Sequence, residues 1–383
     1  MSHFTVLVIG PDPESQLAPF HQFECTGVDD EYVQDIDLTE EMRNNFKSES
    51  CRMYKNQTGE LFNPYQDEFY RDPTSEELEK IGIPIGTGWG HGMHWETKDW
   101  SDGRGFRTKI HYIPDGYTEV SLNMSESKSF YEYVRDYYSY NTLVEGDTPN
   151  LDDKHKYGYI VVNSRGDVVR VIERTNPNKQ WDWYLLGGRW TGFFTMKHEY
   201  DGITGSPGVI TPPAKYGTAD QAIKGQIDFE TIRRKDGEVA RERYRKLAGF
   251  FGGSIPKVDI PWETLCDDSY DARREKYDQQ PAMVRLNVIR KDKSLSNEDS
   301  LFLTFVNLES YQISEEEYVQ NARDSATVTF AVIKDGKWYD RGNMGMWGIV
   351  TGEKDKDTWN QEFNALLDSL PDDTLLSIYD CHI

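Results

Sequence analysis

Hydrophobic positions in this chain fall into short blocks, and the two clearest blocks lie at its ends. Residues 4–10, FTVLVIG, are an unbroken β-forming run stopped by Gly10 and the turn residues behind it, which predicts a buried strand. At the other end TLLSIYDCHI, 374–383, predicts a second strand. Before it, Trp359, Phe363, Leu366 and Leu367 recur at helical spacing and predict an amphipathic helix over 355–369, stopped by Pro371. Further back, apolar runs flank Asp335-Gly336, a hairpin signal. Hairpin, helix and strand, with the opening strand free to pair with the last, predict an α+β fold: a ferredoxin-like antiparallel sheet with helices and long insertions.

The middle of the chain is less regular. A short helix is expected from Thr39 to about Lys47, another at 75–82, and a strand at 109–114. Phe130, Tyr133, Val134 and Tyr137 make a helical stripe within 126–139. Residues 157–174 read as a hairpin, and WDWYLLGGRWTGFF, 181–194, as strand–turn–strand. Residues 200–217 form a Gly- and Pro-rich loop. A helical block follows over 218–248, with Thr218 capping its first helix and Asp228 its second, and with Gly237 as a mild breaker. This gives three regions: 1–150, 151–255, and 256–383 with its last strand paired to residues 4–9. The segments 157–194 and 327–350 share a layout of hairpin plus Gly- and Trp-rich stretch, which hints at an internal duplication.

Composition adds two constraints. With 13% aromatic residues the chain of 383 can bury a real core, so most of it folds. Its 66 acidic against 43 basic residues give a formal charge of −23, which repels polyanions and disfavours direct nucleic-acid binding. The densest acidic run is 28–41, where Asp29, Asp30, Glu31, Asp35 and Asp37 are expected on the surface, available to a basic partner. Seven basic residues between Arg233 and Lys246 form the one basic cluster; phosphate binding is one reading, and a solvated face or one docked on the chain's own acids is the favoured one. Cys25, Cys51, Cys266 and Cys381 are scattered, without a CxxC pair, and no apolar run reaches membrane-spanning length. Free thiols, no signal peptide and a cytoplasmic location are expected.

Three constellations can carry chemistry. His91 and His94 in GTGWGHGMHWE, 86–96, are half of a divalent-metal site that Cys381, His382 or His111 would have to complete; otherwise they are ordinary loop histidines. In YLLGGRW, the backbone N–H groups at Gly187 and Gly188 can cradle an anion. Arg189 adds a bidentate fork, and Trp181, Trp183 and Trp190 can stack a base or sugar. The other reading is a hairpin corner, with Arg189 buried against an acid and the tryptophans in the core. Asp380-Cys381-His382 invites a nucleophile reading, but neighbours on a strand point to opposite faces, so Asp380 and His382 share a face that Cys381 does not. No P-loop, dinucleotide fingerprint or GxSxG is present.

Residues 2–10 with PESQLAPF at 13–20, WDWYLLGGRWTGFF at 181–194, DQAIKGQIDFE at 220–230 and DSLPDDTLLSIYDCHI at 368–383 resemble an uncharacterised protein family of tailed bacteriophages and prophages. The resemblance covers both ends and the centre, and least of 48–125. It brings no assigned activity and implies a viral or prophage protein in the bacterial cytoplasm. The expectation that follows is an acidic phage-encoded protein that binds and modulates a host factor, as an anti-defence or takeover inhibitor. The alternative is an enzyme or binding protein for a nucleotide or other small phosphorylated ligand. No cofactor beyond the divalent metal at His91/His94 is expected.

Overall fold

The computed structural model describes residues 2–74, 76, 97–101, 106–197, 202–265, 269–345 and 348–383. His91, His94 and Cys266 lie outside the described residues. Two compact units divide the chain, one of Met1–Tyr32 with Asn178–Ile383 and one of Val33–Pro177. The divisions therefore fall at 32/33 and 177/178 rather than near 150 and 255, because the 158–175 hairpin pairs with strands that precede it.

The first unit is built on a seven-stranded sheet whose centre is the pair made by the opening strand His3–Ile9 and the closing strand Leu375–His382. They run antiparallel over their whole length, from His3 opposite His382 to Ile9 opposite Leu376. Trp183–Gly188 adds to the outer side of the closing strand, antiparallel, and Gln221–Ile223 continues along that same edge. On the other side, the opening strand pairs with Ala331–Lys334, which turns back through Asp335-Gly336 into Lys337–Asp340.

The α+β class is as expected. The sheet is mixed rather than wholly antiparallel, because the first strand of the hairpin, not the second, lies beside the opening strand and runs parallel to it. Parallel neighbours need a long crossover, and the chain between Ile9 and Ala331 supplies one.

Both faces of this sheet are covered, which explains why residues 4–9 read as a continuous apolar run instead of alternating. On one face Leu7, Ile9, Leu376 and Ile378 pack against Trp359, Phe363 and Leu367 of the helix Lys356–Ser369. On the other, Phe4, Val6, Val8 and Cys381 meet Leu17, Phe20 and Trp181.

The block at 218–248 forms only its second helix. Asp228 caps Phe229–Phe250 by accepting from the Thr231 amide at 2.9 Å. The first is replaced by the short strands Thr218–Ala219 and Gln221–Ile223, since pairing with the closing strand buries Ala222 and outweighs local helix propensity. Gly237 marks a close approach: a Cβ there would sit 2.9 Å from Arg323 Cγ on the helix Glu315–Ser325. The basic cluster docks on the chain's own acids, Arg245 on Glu315 at 2.8 Å and Lys246 on Asp299 at 2.8 Å.

The second unit carries a four-stranded sheet in the order Gln34–Asp37, Val168–Thr175, Gly158–Val162, Asn141–Val144. Met42 of Thr39–Ser48 and Tyr133 and Val134 of Phe130–Tyr138 cover one face, over Ile160, Val162 and Val171. The 158–175 hairpin thus lies in a different unit and sheet from the GGRW stretch, so the two similar layouts are not copies of one folding unit.

Two expectations follow. Ile378 is fully buried between sheet and helix, so Ile378→Ala should lower stability by about 2–5 kcal/mol in urea titration. The Asp228 carboxyl is held below its usual value of 3.8, first by the Thr231 amide it accepts from and then by the Thr231 hydroxyl. A depressed folded value contributes stability above the unfolded value that is lost as pH falls through the folded one. Asp228→Asn should therefore flatten the fall in stability below about pH 4, read as melting temperature against pH.

Candidate functional site

Along the closing strand, the helix-facing positions are Leu376, Ile378, Asp380 and His382, and along the opening strand Ile9, Leu7, Thr5 and His3. The face is apolar where the helix Lys356–Ser369 covers it and becomes polar at one end. Strand alternation produces this change, with Cys381 sent to the opposite face. Cys381 is fully buried there, and burial pushes its thiol well up, which disqualifies it as a nucleophile.

Register then brings three rings into one mutually packed cluster. His3 and Trp183 both lie directly opposite His382, one on each side of the closing strand. The His3 and His382 ring centroids are 4.9 Å apart at 77°, and Trp183 stacks on His382 at 5.1 Å and 14°. Each imidazole is held from behind by a carboxylate. His3 Nδ1 bonds Asp380 Oδ1 at 2.8 Å, and His382 Nδ1 bonds Asp182 Oδ1 at 2.6 Å. A carboxylate can only accept, so each ring places a proton on Nδ1 and presents Nε2 as the free nitrogen. No hydrogen bond engages either Nε2 among the described residues, and both rings are largely buried, His3 with 12% and His382 with 6% of its side chain exposed. The result is two adjacent, oriented imidazoles beside an indole that is 42% exposed.

The glycine corner is directly attached to this pair. Gly187 and Gly188 are buried with φ of +77° and +53°, which L side chains rarely adopt. A Cβ on Gly187 would strike the Asp220 carboxylate, and one on Gly188 would strike Asp380. The amides around this corner do cradle anions, but the anions are the protein's own. Asp380 Oδ2 accepts from the Arg189 amide at 2.9 Å. Asp220, wholly buried, accepts from the amides of Gly192 (2.6 Å), Phe193 (3.1 Å) and Gly205 (2.8 Å) and from the Thr191 hydroxyl (3.0 Å). Buried carboxylates need such partners. Asp380 thus serves two roles, fixing the corner with one oxygen and aiming His3 with the other.

The expected site residues therefore separate. Gly187 and Gly188 are structural, and the anion place they offer is filled. The Arg189 side chain is exposed, so it is not buried against an acid; its backbone amide, not its guanidinium, meets the carboxylate. Trp181 is core on the far face, its Nε1 donating to the Leu17 carbonyl at 3.1 Å, and Trp190 packs against the helix-side core. Of the three tryptophans only Trp183 joins the histidines. Asp380 and His382 share a face as expected, but they do not pair with each other: His3 and Asp182 complete the two pairs.

In the acidic segment, Asp29, Glu31, Asp35 and Asp37 are exposed. Asp30 meets His21 Nε2 at 3.2 Å, while Asp35 accepts from Arg174 (2.9 Å) and Asp37 from Arg170 (3.0 Å), holding a strand edge. Cys25 is exposed, yet partial burial first and then the Asp182 and Glu24 carboxylates raise its thiol, so it is a poor nucleophile. Among the described residues no group of three or more His, Cys, Asp or Glu is placed to hold a metal ion, and no helix is long and apolar enough to cross a membrane.

No protein-family model, no curated protein and no solved structure matches this chain. The geometry of the site is what a functional reading has to rest on.

The corner predicts a sharp contrast between neighbours. Gly188→Ala combines a positive φ with a clash on Asp380 and should destabilise by more than about 1 kcal/mol. Arg189→Ala should stay within about 0.5 kcal/mol of the parent, since its side chain is exposed. Melting temperatures of the two variants check both values.

Proposed function

We propose that this chain is an enzyme that uses the His3/His382 pair for acid–base chemistry on a small phosphorylated ligand. One observation carries the reading: two neighbouring imidazoles, each with its Nδ1 on a carboxylate, present free Nε2 atoms beside an exposed indole. In such a pair one neutral imidazole accepts a proton at Nε2 from water or a ligand hydroxyl. The other, protonated at Nε2, gives one to the leaving oxygen. Asp380 and Asp182 keep the tautomers correct and stabilise whichever ring carries the charge, as the carboxylate does behind a catalytic histidine. The exposed Arg189, next to the amide that Asp380 holds, supplies a cation for a phosphoryl group. The charge of −23 favours a small ligand over a polyanion.

The test uses p-nitrophenyl phosphate, bis(p-nitrophenyl) phosphate and p-nitrophenyl acetate. His3→Gln and His382→Gln should each lower the turnover of whichever ester is cleaved by about 10²–10⁴-fold, with a bell-shaped pH profile in the parent. Hydrolysis equal in parent and variants would remove the pair from any chemistry.

A second reading, the acidic phage-encoded protein that modulates a host factor in the bacterial cytoplasm, is favoured by a different observation. Val209, Ile210 and Tyr216 stand almost wholly in solvent in the loop over 208–217, and contiguous exposed apolar groups mark interaction surfaces. The resemblance to phage and prophage sequences supports the same reading. If it holds, affinity capture from bacterial lysate should recover a stoichiometric partner that Val209→Asp with Ile210→Asp loses. A partner retained by that variant would take the loop out of the interface.

A further inference from the structure

We infer that the ligand of the histidine pair is a nucleoside monophosphate, with its base on Trp183 and its phosphate at the imidazole nitrogens and Arg189; this rests on the acid–base reading above. Large apolar residues are normally buried, and the neighbouring tryptophans Trp181 and Trp190 are core or packed against it. Trp183 instead is 42% exposed while being fixed in orientation: it stacks on His382 and lies edge-to-face with His3 at 5.2 Å. Among the described residues these two rings are the only aromatic neighbours in contact with it. An indole held rigid by one stack, with much of its surface open, is a platform for a further planar ring, and every nucleobase has a π-face suited to it.

The polar half of the ligand follows from the same cluster of residues. The two Nε2 atoms, each a donor to a phosphate oxygen when its ring carries a proton there, and the guanidinium of Arg189 can meet the oxygens of one phosphate without any neighbouring carboxylate turning toward it. Asp182 is engaged by His382 Nδ1, and Asp380 by His3 Nδ1 and the Arg189 amide. The corner amides are spent on Asp220 and Asp380, so the backbone cradle a polyphosphate would use is already filled. A single phosphate therefore fits better than a di- or triphosphate. The charge of −23 adds a penalty that grows with ligand charge and disfavours a polynucleotide.

The experiment is calorimetric titration of the full chain with AMP, GMP, CMP and UMP, and with ribose 5-phosphate, ATP and a single-stranded decanucleotide. At least one monophosphate is expected to bind about 5- to 150-fold more tightly than ribose 5-phosphate, the span that one base–aromatic stack provides. Trp183→Ala should abolish that advantage without changing the affinity for ribose 5-phosphate, and Trp183→Phe, which keeps a ring, should restore part of it. Ribose 5-phosphate binding as well as all four monophosphates would overturn the base on Trp183 and leave the acid–base site standing. Tighter binding of ATP or of the decanucleotide would overturn the single-phosphate assignment. No binding of any phosphate, alongside p-nitrophenyl acetate hydrolysis that His3→Gln and His382→Gln abolish, would overturn the nucleotide while sparing the histidine pair. No binding and no histidine-dependent hydrolysis would remove both.

Discussion

The antiparallel pairing of the opening and closing strands is the contact on which the rest of the first unit depends. It joins the two ends of the chain in the centre of a sheet covered on both faces, where each strand would otherwise leave a row of unpaired backbone groups in an apolar setting. It also fixes a register in which His3 faces His382. A shift of one residue would put Asp380 and His382 into the apolar face and take Cys381 and Tyr379 out of it, so the separate burial of polar and apolar side chains holds the register in place. Stability and site geometry therefore share one cause.

Buried carboxylates are the second organising element. Asp220 and Asp380 sit in the interior of the glycine corner, and neither would be tolerated there without donors. The positive-φ glycines bring the corner close enough for main-chain amides to reach them, and the absence of Cβ atoms is what leaves room. An arrangement that looks in sequence like a cradle for an external anion is an internal one, and it orients a histidine as a by-product. Asp380 links the two: the oxygen not used by the corner is available to His3.

The acidic residues show the same economy. Several acidic residues are engaged locally, on His21, Arg174, Arg170, Arg245 and Lys246, each in partly exposed pairs whose separate contributions are small.

The sequence by itself determined the elements whose pattern is local or terminal: the two end strands and their pairing, the Asp335-Gly336 hairpin, the helix over 355–369, the Asp228 cap, and the rule that Asp380 and His382 share a face while Cys381 does not. Periodicity and turn chemistry act over a few residues, so they are legible without coordinates. What only the tertiary structure decided was everything set by pairing across distance. The parallel placement of Ala331–Lys334 depends on which hairpin strand lies beside the opening strand. The strand at Gln221–Ile223 forms against helix propensity because an edge was available to pair with. Most of all, His3, Asp182 and Asp220 lie far in sequence from the residues they serve. No spacing connects them; register and the turn at Gly187-Gly188 do, and both arise from the packing of a sheet that no single segment specifies.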